Sequence, residues 1–443
     1  MTIARRVHEF LTREDDGRIC RDIPEAACVE QPRNFLVHVV SLAATKTGDG
    51  LVDPKLVLAW LLSGLGAPAF IIGLLVPVRE AGALLPQLVT AGSIRALPRR
   101  KWAWAAGSLV QGVCVAGMGA AVLVFDGVLA GWAVIGLLTI FAVARSVCSV
   151  SYSDVLGKTV SKATRGTATG TAGTIAAVFV LAYGVALATG LLERSVVIIG
   201  AFLFVAAGLW FFAATLFSTL QEEPGATEGG GNPIAVALGQ VSLLRDDPQL
   251  VRFILVRGLL SATALAPPYI VSVSGQSATR ALGALGAFVI ANALASISSN
   301  YLWGRLSDHS SRRVLMLSGW IGAVVLALTS VLAIYRVEIL NAAIVAPLLM
   351  FVLMIGYQGV RLGRATHIVD MADADRRASY TALSNTVIGT LMLAGGAFGA
   401  MAYSFGIEAV LASFSVMCVL AAILARGLRE VQGLAPDGAD QAR

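Results

Sequence analysis

The sequence predicts an all-α integral membrane protein, with twelve transmembrane helices in two pseudo-symmetric six-helix bundles. Three observations carry that reading. Of 443 residues, 57% are apolar and only 14% are charged. The apolar residues gather into runs long enough to cross a bilayer. Short motifs of the first half then return in the same order in the second. A soluble chain runs at about 45–50% apolar and about 25% charged residues, so this excess does not fit inside water-soluble cores. Soluble enzymes, disordered scaffolds, collagen-like chains and disulfide-stapled domains are thereby excluded.

The first segment, 1–52, reads as a cytoplasmic tail. Residues 1–33 mix charges (Arg5, Arg6, Glu14, Asp15, Asp16, Arg18) and lack the apolar stretch of a cleavable leader. Residues 34–46 are moderately amphipathic and predict an interfacial helix on the cytoplasmic leaflet. A helix needs about 20 mostly apolar residues to cross a hydrocarbon core of about 30 Å. Such runs occur at 54–76, 78–97, 102–124, 130–153, 167–191 and 195–218, which makes 53–220 the first bundle. A polar linker, 221–247, contains Pro224 and Gly229-Gly230-Gly231. Further runs at 248–272, 280–303, 314–335, 341–362, 379–403 and 407–426 make 248–427 the second bundle, and 428–443 forms a C-terminal tail. The five cysteines lie in the N-terminal segment or within apolar runs, so no disulfide framework is expected.

Orientation follows from the basic residues of short loops. One side holds Arg95, Arg99, Arg100, Lys101, Lys158, Lys162 and Arg165, then Arg305, Arg312, Arg313, Arg364, Arg376 and Arg377. The other holds only Arg79, Arg194, Arg280 and Arg336. The first side is therefore expected to be cytoplasmic, with both termini there, in a cell inner membrane.

Four matches tie the halves together. Asp53-Pro54 recurs as Asp247-Pro248, an N-cap acid before a proline suited to the first helical position. Ala67-Pro68 recurs as Ala266-Pro267, Arg79 with Gly82-Ala83-Leu84 as Arg280 with Gly283-Ala284-Leu285, and Arg165-Gly166-Thr167 as Arg377-Ala378-Ser379. Between the eighth and ninth runs lies Gly304-Arg305-Leu306-Ser307-Asp308-His309-Ser310-Ser311-Arg312-Arg313, a G-x-L-x-D-x-x-x-R-R loop. Here the chain resembles the major facilitator superfamily, whose signature loop has this form. The first-half loop Gly92 to Lys101 keeps the register but has Ala96 in place of the acid. The resemblance covers about residues 53–430. It implies two six-helix repeats with a site near the membrane midplane and transport by alternating access. It also implies that spans 1, 4, 7 and 10 line the transport path, and that Asp308, with Gly304, Arg312 and Arg313, forms a gate whose ion pair biases one conformation.

Charges within hydrocarbon are costly, so each asks for a reason. Arg145 is the deepest, and Cys148, Ser149, Tyr152 and Ser153 follow it on one helical face. Arg145, Ser149 and Tyr152 are therefore candidates for contacting substrate. Alternatively Arg145 pairs with an acid, either Asp154, also a gating candidate, or one from another helix. Tyr357, Arg361 and Arg364 repeat the pattern on the tenth run, with Tyr357 and Arg361 as candidates. Trp60, Ser63 and Asn292 add neutral hydrogen-bonding candidates, as do Gln111, Ser384 and Asn385, although such groups also serve as glue between helices. Arg257 either lines the path or snorkels to the nearby face. Glu80 is the candidate proton carrier if it is drawn inward; otherwise it forms an interfacial pair with Arg79. The Gly166, Gly170, Gly173 series reads as a close-packing face.

Enzymatic chemistry is not expected. Gly157-Lys158-Thr159 resembles the end of a phosphate-binding loop, but Tyr152 stands where its leading glycine must be. His8, His38, His309 and His367 lack metal-ligand spacing with one another. The expectation is a monomeric secondary transporter of a small organic molecule, using protons as coupling ion and neither cofactor nor nucleic acid. Export is the direction favoured. The alternative is a non-transporting protein of the same fold, an assembly factor or receptor.

Overall fold

Proline and charge place the first break in the chain. In a computed structural model, which describes Arg6 and residues 25–87, 90, 93–94, 96–193, 195–225, 243–274, 278–335, 344–371 and 377–431, α1 runs Glu25–Val52 and α2 runs Val57–Gly64. Pro54 lacks an N–H and its ring collides with the preceding turn, which favours the break that ends α1 at Val52. Asp53 restarts the helix: its Oδ1 accepts the Lys55 N–H at 2.8 Å and its carbonyl accepts from Val57 at 2.8 Å. At Gly66 the backbone turns with φ of 73°, a conformation that suits a residue without a Cβ. The chain then enters α3 (Ala69–Leu84), α4 (Lys101–Val124), α5 (Gly127–Thr159), α6 (Lys162–Ala188) and α7 (Val196–Ser218).

The chain forms two compact units, Met1–Val236 and Ala237–Arg443, which divide within the stretch that reads as a linker. In the first, α1 packs on α6 and α7, α3 on α5, and α4 on both α5 and α7. An aromatic cluster lies within this unit. Trp104 stacks on Phe217 with centroids 4.0 Å apart, and the edge of His38 meets Phe217 at 5.3 Å and Tyr152 at 5.5 Å. Val37, Val155 and Leu220 are buried around them.

The second unit contains α8 (Pro248–Leu260), followed by short helical turns to Ser274, then α9 (Ala278–His309), α10 (Ser311–Ile334), α11 (Val345–Met371), α12 (Arg377–Ala394), α13 (Ala397–Phe405) and α14 (Ile407–Ala425). Asp247 caps α8 by accepting the Gln249 and Leu250 N–H groups, and its other oxygen accepts from Tyr380 on α12 at 2.9 Å. Here α8 packs on α14 and α12, α9 on α11, and α10 on α11 and α14. This is the pairing scheme of the first unit repeated. Among the described residues, nine helical segments are long and apolar enough to cross a membrane. Many of their apolar side chains face outward, among them Val113, Trp132, Ile140, Val324 and Leu420, as a bundle solvated by lipid requires.

The structure corrects the sequence reading at its N-terminal end. Residues 34–46 are the middle of α1 rather than an interfacial helix, with Asn34, Phe35, His38 and Ser41 fully buried. The run expected at 54–76 breaks at 65–68, and α3 occupies what was divided between the first two runs. Hydropathy marks helices that face lipid. The first helix faces α5, α6 and α7 instead, so it tolerates His38, Lys46 and Asp49. Two repeat matches are accordingly out of register. Asp53-Pro54 interrupts a helix already under way, whereas Asp247-Pro248 opens one; Ala67-Pro68 precedes α3, whereas Ala266-Pro267 lies within the 248–273 span. Cys28 is disulfide-bonded, contrary to the expectation of no disulfides.

Close packing is also assigned differently. A Cβ on Gly48 would stand 2.7 Å from the Trp210 ring, whereas Gly166 and Gly170 have nothing within 4 Å. Gly48→Ala is therefore expected to cost about 1–3 kcal/mol and to lower the melting temperature. Gly170→Ala is expected to leave melting unchanged or raised, since it only removes chain entropy. Scanning fluorimetry of the purified variants checks both.

Candidate functional site

The deepest charge of the first unit is held by a residue that the hydropathy pattern hides. Arg145 is 18 residues from the start of α5 and 14 from its end, about 27 Å and about 21 Å along the axis. Its Nη1 lies 2.6 Å from Asp49 on α1. The same carboxylate reaches Arg79 on α3 at 3.6 Å. Three helices thus meet at one acid. The side chains keep partial exposure: 30% for Arg145, 22% for Asp49 and 17% for Arg79.

The packing around this junction fixes it. Arg79 lies over the Phe141 ring at 5.7 Å, the Phe141 edge meets Trp210 at 5.4 Å, and Trp210 seats against Gly48, the residue before Asp49. A cation over an aromatic face gains where water is scarce. Glu80 is half-buried and its charge acts on Arg145. Asp53, one helical turn beyond Asp49, feels Lys55, Arg79 and Asp49. Three acids (Asp49, Asp53, Glu80) and the bases Lys55, Arg79 and Arg145 therefore share this region.

The other expected residues separate into distinct places. Ser149 and Ser153 are exposed on α5, whereas Tyr152 packs in the aromatic cluster with His38. Cys148 points into the bundle, where Gln111 donates to its sulfur at 3.1 Å, so Gln111 joins α4 to α5. Trp60 is buried on α2; Ser63, Asn292 and Tyr357 are partly exposed. Arg361 is exposed and donates to Gln358 on its own helix. Arg257 is buried and donates to Ser384 at 2.7 Å and Asn385 at 2.8 Å, tying α8 to α12 rather than snorkelling.

Asp154 does not serve Arg145. It pairs with Arg100, and with Lys158 at 3.3 Å. Glu222, just past α7, accepts the Arg100 and Lys101 N–H groups at 3.1 and 2.8 Å and pairs with Lys158, which satisfies the exposed N-terminus of α4. The second unit repeats the device. Glu430, just past α14, accepts from Ser310 at 2.7 Å and pairs with Arg312 at 3.3 Å at the start of α10. The Arg313 side chain is exposed. The Asp308 side chain and the surroundings of Gly304 lie outside what the structure describes. Among the described residues there is no cluster that could hold a metal ion.

Asp49 and the inward position of Arg79 were the features missed from sequence. Lys46, Asp49 and Asp53 fall at helical spacing in a stretch without a long apolar run, which is the pattern of a helix wrapped by protein.

No family model matches the sequence, and no curated protein matches it. Solved structures do match in fold. A mutant of the nucleoside transporter NupG superposes with a TM-score of 0.69 at 16% identity, covering 90% of this chain and 100% of that one. The xylose transporter XylE from E. coli, inward open, gives 0.62 at 12% identity over 90% and 97%. A D-xylose-proton symporter gives 0.62 at 13% identity over 90% and 98%. The chain shares its fold with these solved transporters.

The junction predicts an order of stability losses. Asp49→Ala leaves two guanidinium groups facing each other and is expected to cost about 1–3 kcal/mol, between the values for exposed and fully buried pairs. Arg145→Ala should cost less, because Asp49 keeps Arg79, and the double variant should recover part of the Asp49→Ala loss. Thermal unfolding in detergent reads all three.

Proposed function

We propose that the protein is a secondary active transporter that moves a small organic solute across the inner membrane by alternating access, driven by protons. In this reading it is a monomer with twelve crossings, the first being Glu25–Gly64, and both termini are cytoplasmic. The observation that carries the proposal is the Asp49 carboxylate on Arg145 and Arg79, an ionisable acid holding two cations within the depth of a transporter fold. Intramembrane charge at such depth marks substrate and proton pathways.

The coupling follows from electrostatics. With Asp49 ionised, α1 is pinned to α3 and α5. A proton on Asp49 removes that attraction and frees both arginines, and a change of a few kcal/mol is enough to shift a two-state equilibrium. Asp49 thus takes the proton-carrying role that the sequence suggested for Glu80, while Glu80 sets the field at Arg145. The pairs at the loop ends, Asp154 with Arg100 and Arg312 with Glu430, hold each bundle's third helix to its neighbours. The expectation of export rests on no residue of this site, so direction is left to the assay.

Proteoliposomes with an imposed proton gradient test this reading. The wild type is expected to accumulate at least one solute from a broad panel. Asp49→Asn should still exchange that solute but no longer concentrate it, and Arg145→Ala should not move it. Solute movement by none of the panel would favour the non-transporting alternative, and normal transport by Arg145→Ala would remove that residue from the site.

A further inference from the structure

Resting on the transporter reading, we infer the class of solute: a monovalent organic anion, typically a carboxylate, that replaces the Asp49 carboxylate on Arg145 and Arg79 once Asp49 is protonated. The site is then a receptor for one carboxylate whose resident occupant is the protein's own side chain. Guanidinium groups present flat arrays of donors that match a carboxylate in shape and charge. Two of them, from α3 and α5, converge on a single acid at 3.6 and 2.6 Å. All three side chains are partly exposed, so the pairing surface is open to an incoming ligand.

Charge counting selects a monoanion. While Asp49 is ionised, its one negative charge stands against the guanidinium groups of Arg79 and Arg145. A proton on Asp49 adds one positive charge at membrane depth, which is unfavourable there. One negative charge offsets it; a neutral solute leaves the excess and a dianion reverses it. Proton and anion therefore enter the site together.

The charged groups on the surrounding elements keep their charges whether or not Asp49 carries its proton. Lys46 of α1 donates to the Thr169 carbonyl. On α6, Arg165 donates to the Val160 and Gly157 carbonyls at the loop end. On α5, Asp154 and Lys158 are engaged with Arg100 and Glu222. Neither α2 nor α7 carries a charged residue.

Isothermal titration of the purified full-length protein with acetate, lactate, benzoate and gluconate, each beside its amide, tests the inference. At least one carboxylate is expected to bind while its amide does not. Buffers of different ionisation enthalpy should show wild type taking up about one proton per anion bound in alkaline buffer. Asp49→Asn, with a melting transition proving it folded, should bind the same anion about tenfold more tightly there and take up no proton. Equal binding of the amide, anion binding without proton uptake by wild type, or no carboxylate binding by either protein would each overturn the inference. In liposomes, transport of neutral solutes but none of these anions would overturn the anion class and leave the transporter reading standing. Transport of no solute at all would overturn both.

Discussion

One carboxylate organises the first unit. Asp49 is the acid that joins α1 to α3 and α5, and the packing beside it is arranged so that it can do so. Gly48 gives up its side chain so that Trp210 can approach; Trp210 supports Phe141, and Phe141 supports Arg79. The cations gain their acid and the acid gains two donors, in surroundings where an unmatched charge is costly. The break at Asp53-Pro54 follows one turn later and ends the helix that delivers Asp49. In the proposed transport cycle stability and function draw on the same contact, since neutralising Asp49 would both loosen the junction and free its arginines.

The two units reach one packing scheme through different local sequences. In each, an acid just past the last helix returns to the start of the third: Glu222 binds backbone N–H groups at Arg100 and Lys101, and Glu430 binds Ser310 and Arg312. The chemistry is shared although the residues contacted differ. The asymmetry lies deeper. The first unit joins Asp49 to Arg79 and Arg145, and Arg257 of the second donates to Ser384 and Asn385.

Much of this was readable from residues alone, and the failures share a cause. Long lipid-facing helices such as α4, α7, α10 and α14 carry continuous apolar stretches, and their bounds lie close to the expected runs. Asp247 was rightly read as a cap. Arg145 stands out because an arginine in the middle of such a stretch has no lipid-facing explanation, and an acid from another helix is one of its expected partners. The acid itself was not identified, because α1 is enclosed by α5, α6 and α7 and therefore carries His38, Lys46 and Asp49 without penalty. Hydropathy reads contact with lipid and is silent about a helix wrapped in protein. Arg79 was misplaced as a consequence: with α1 treated as a tail, the start of α3 was drawn into the first span and its arginine fell in a loop. Gly166 and Gly170 show the converse, since small residues in a helix suggest packing that neither glycine has.

The most direct test of this account is the reactivity of the Arg145 guanidinium toward phenylglyoxal, read residue by residue by mass spectrometry in wild type and in Asp49→Asn. If Asp49 shelters Arg145, neutralising the acid exposes the guanidinium and its modification accelerates. Equal rates in two folded proteins would contradict the account, because Arg145 would then be held by something other than Asp49.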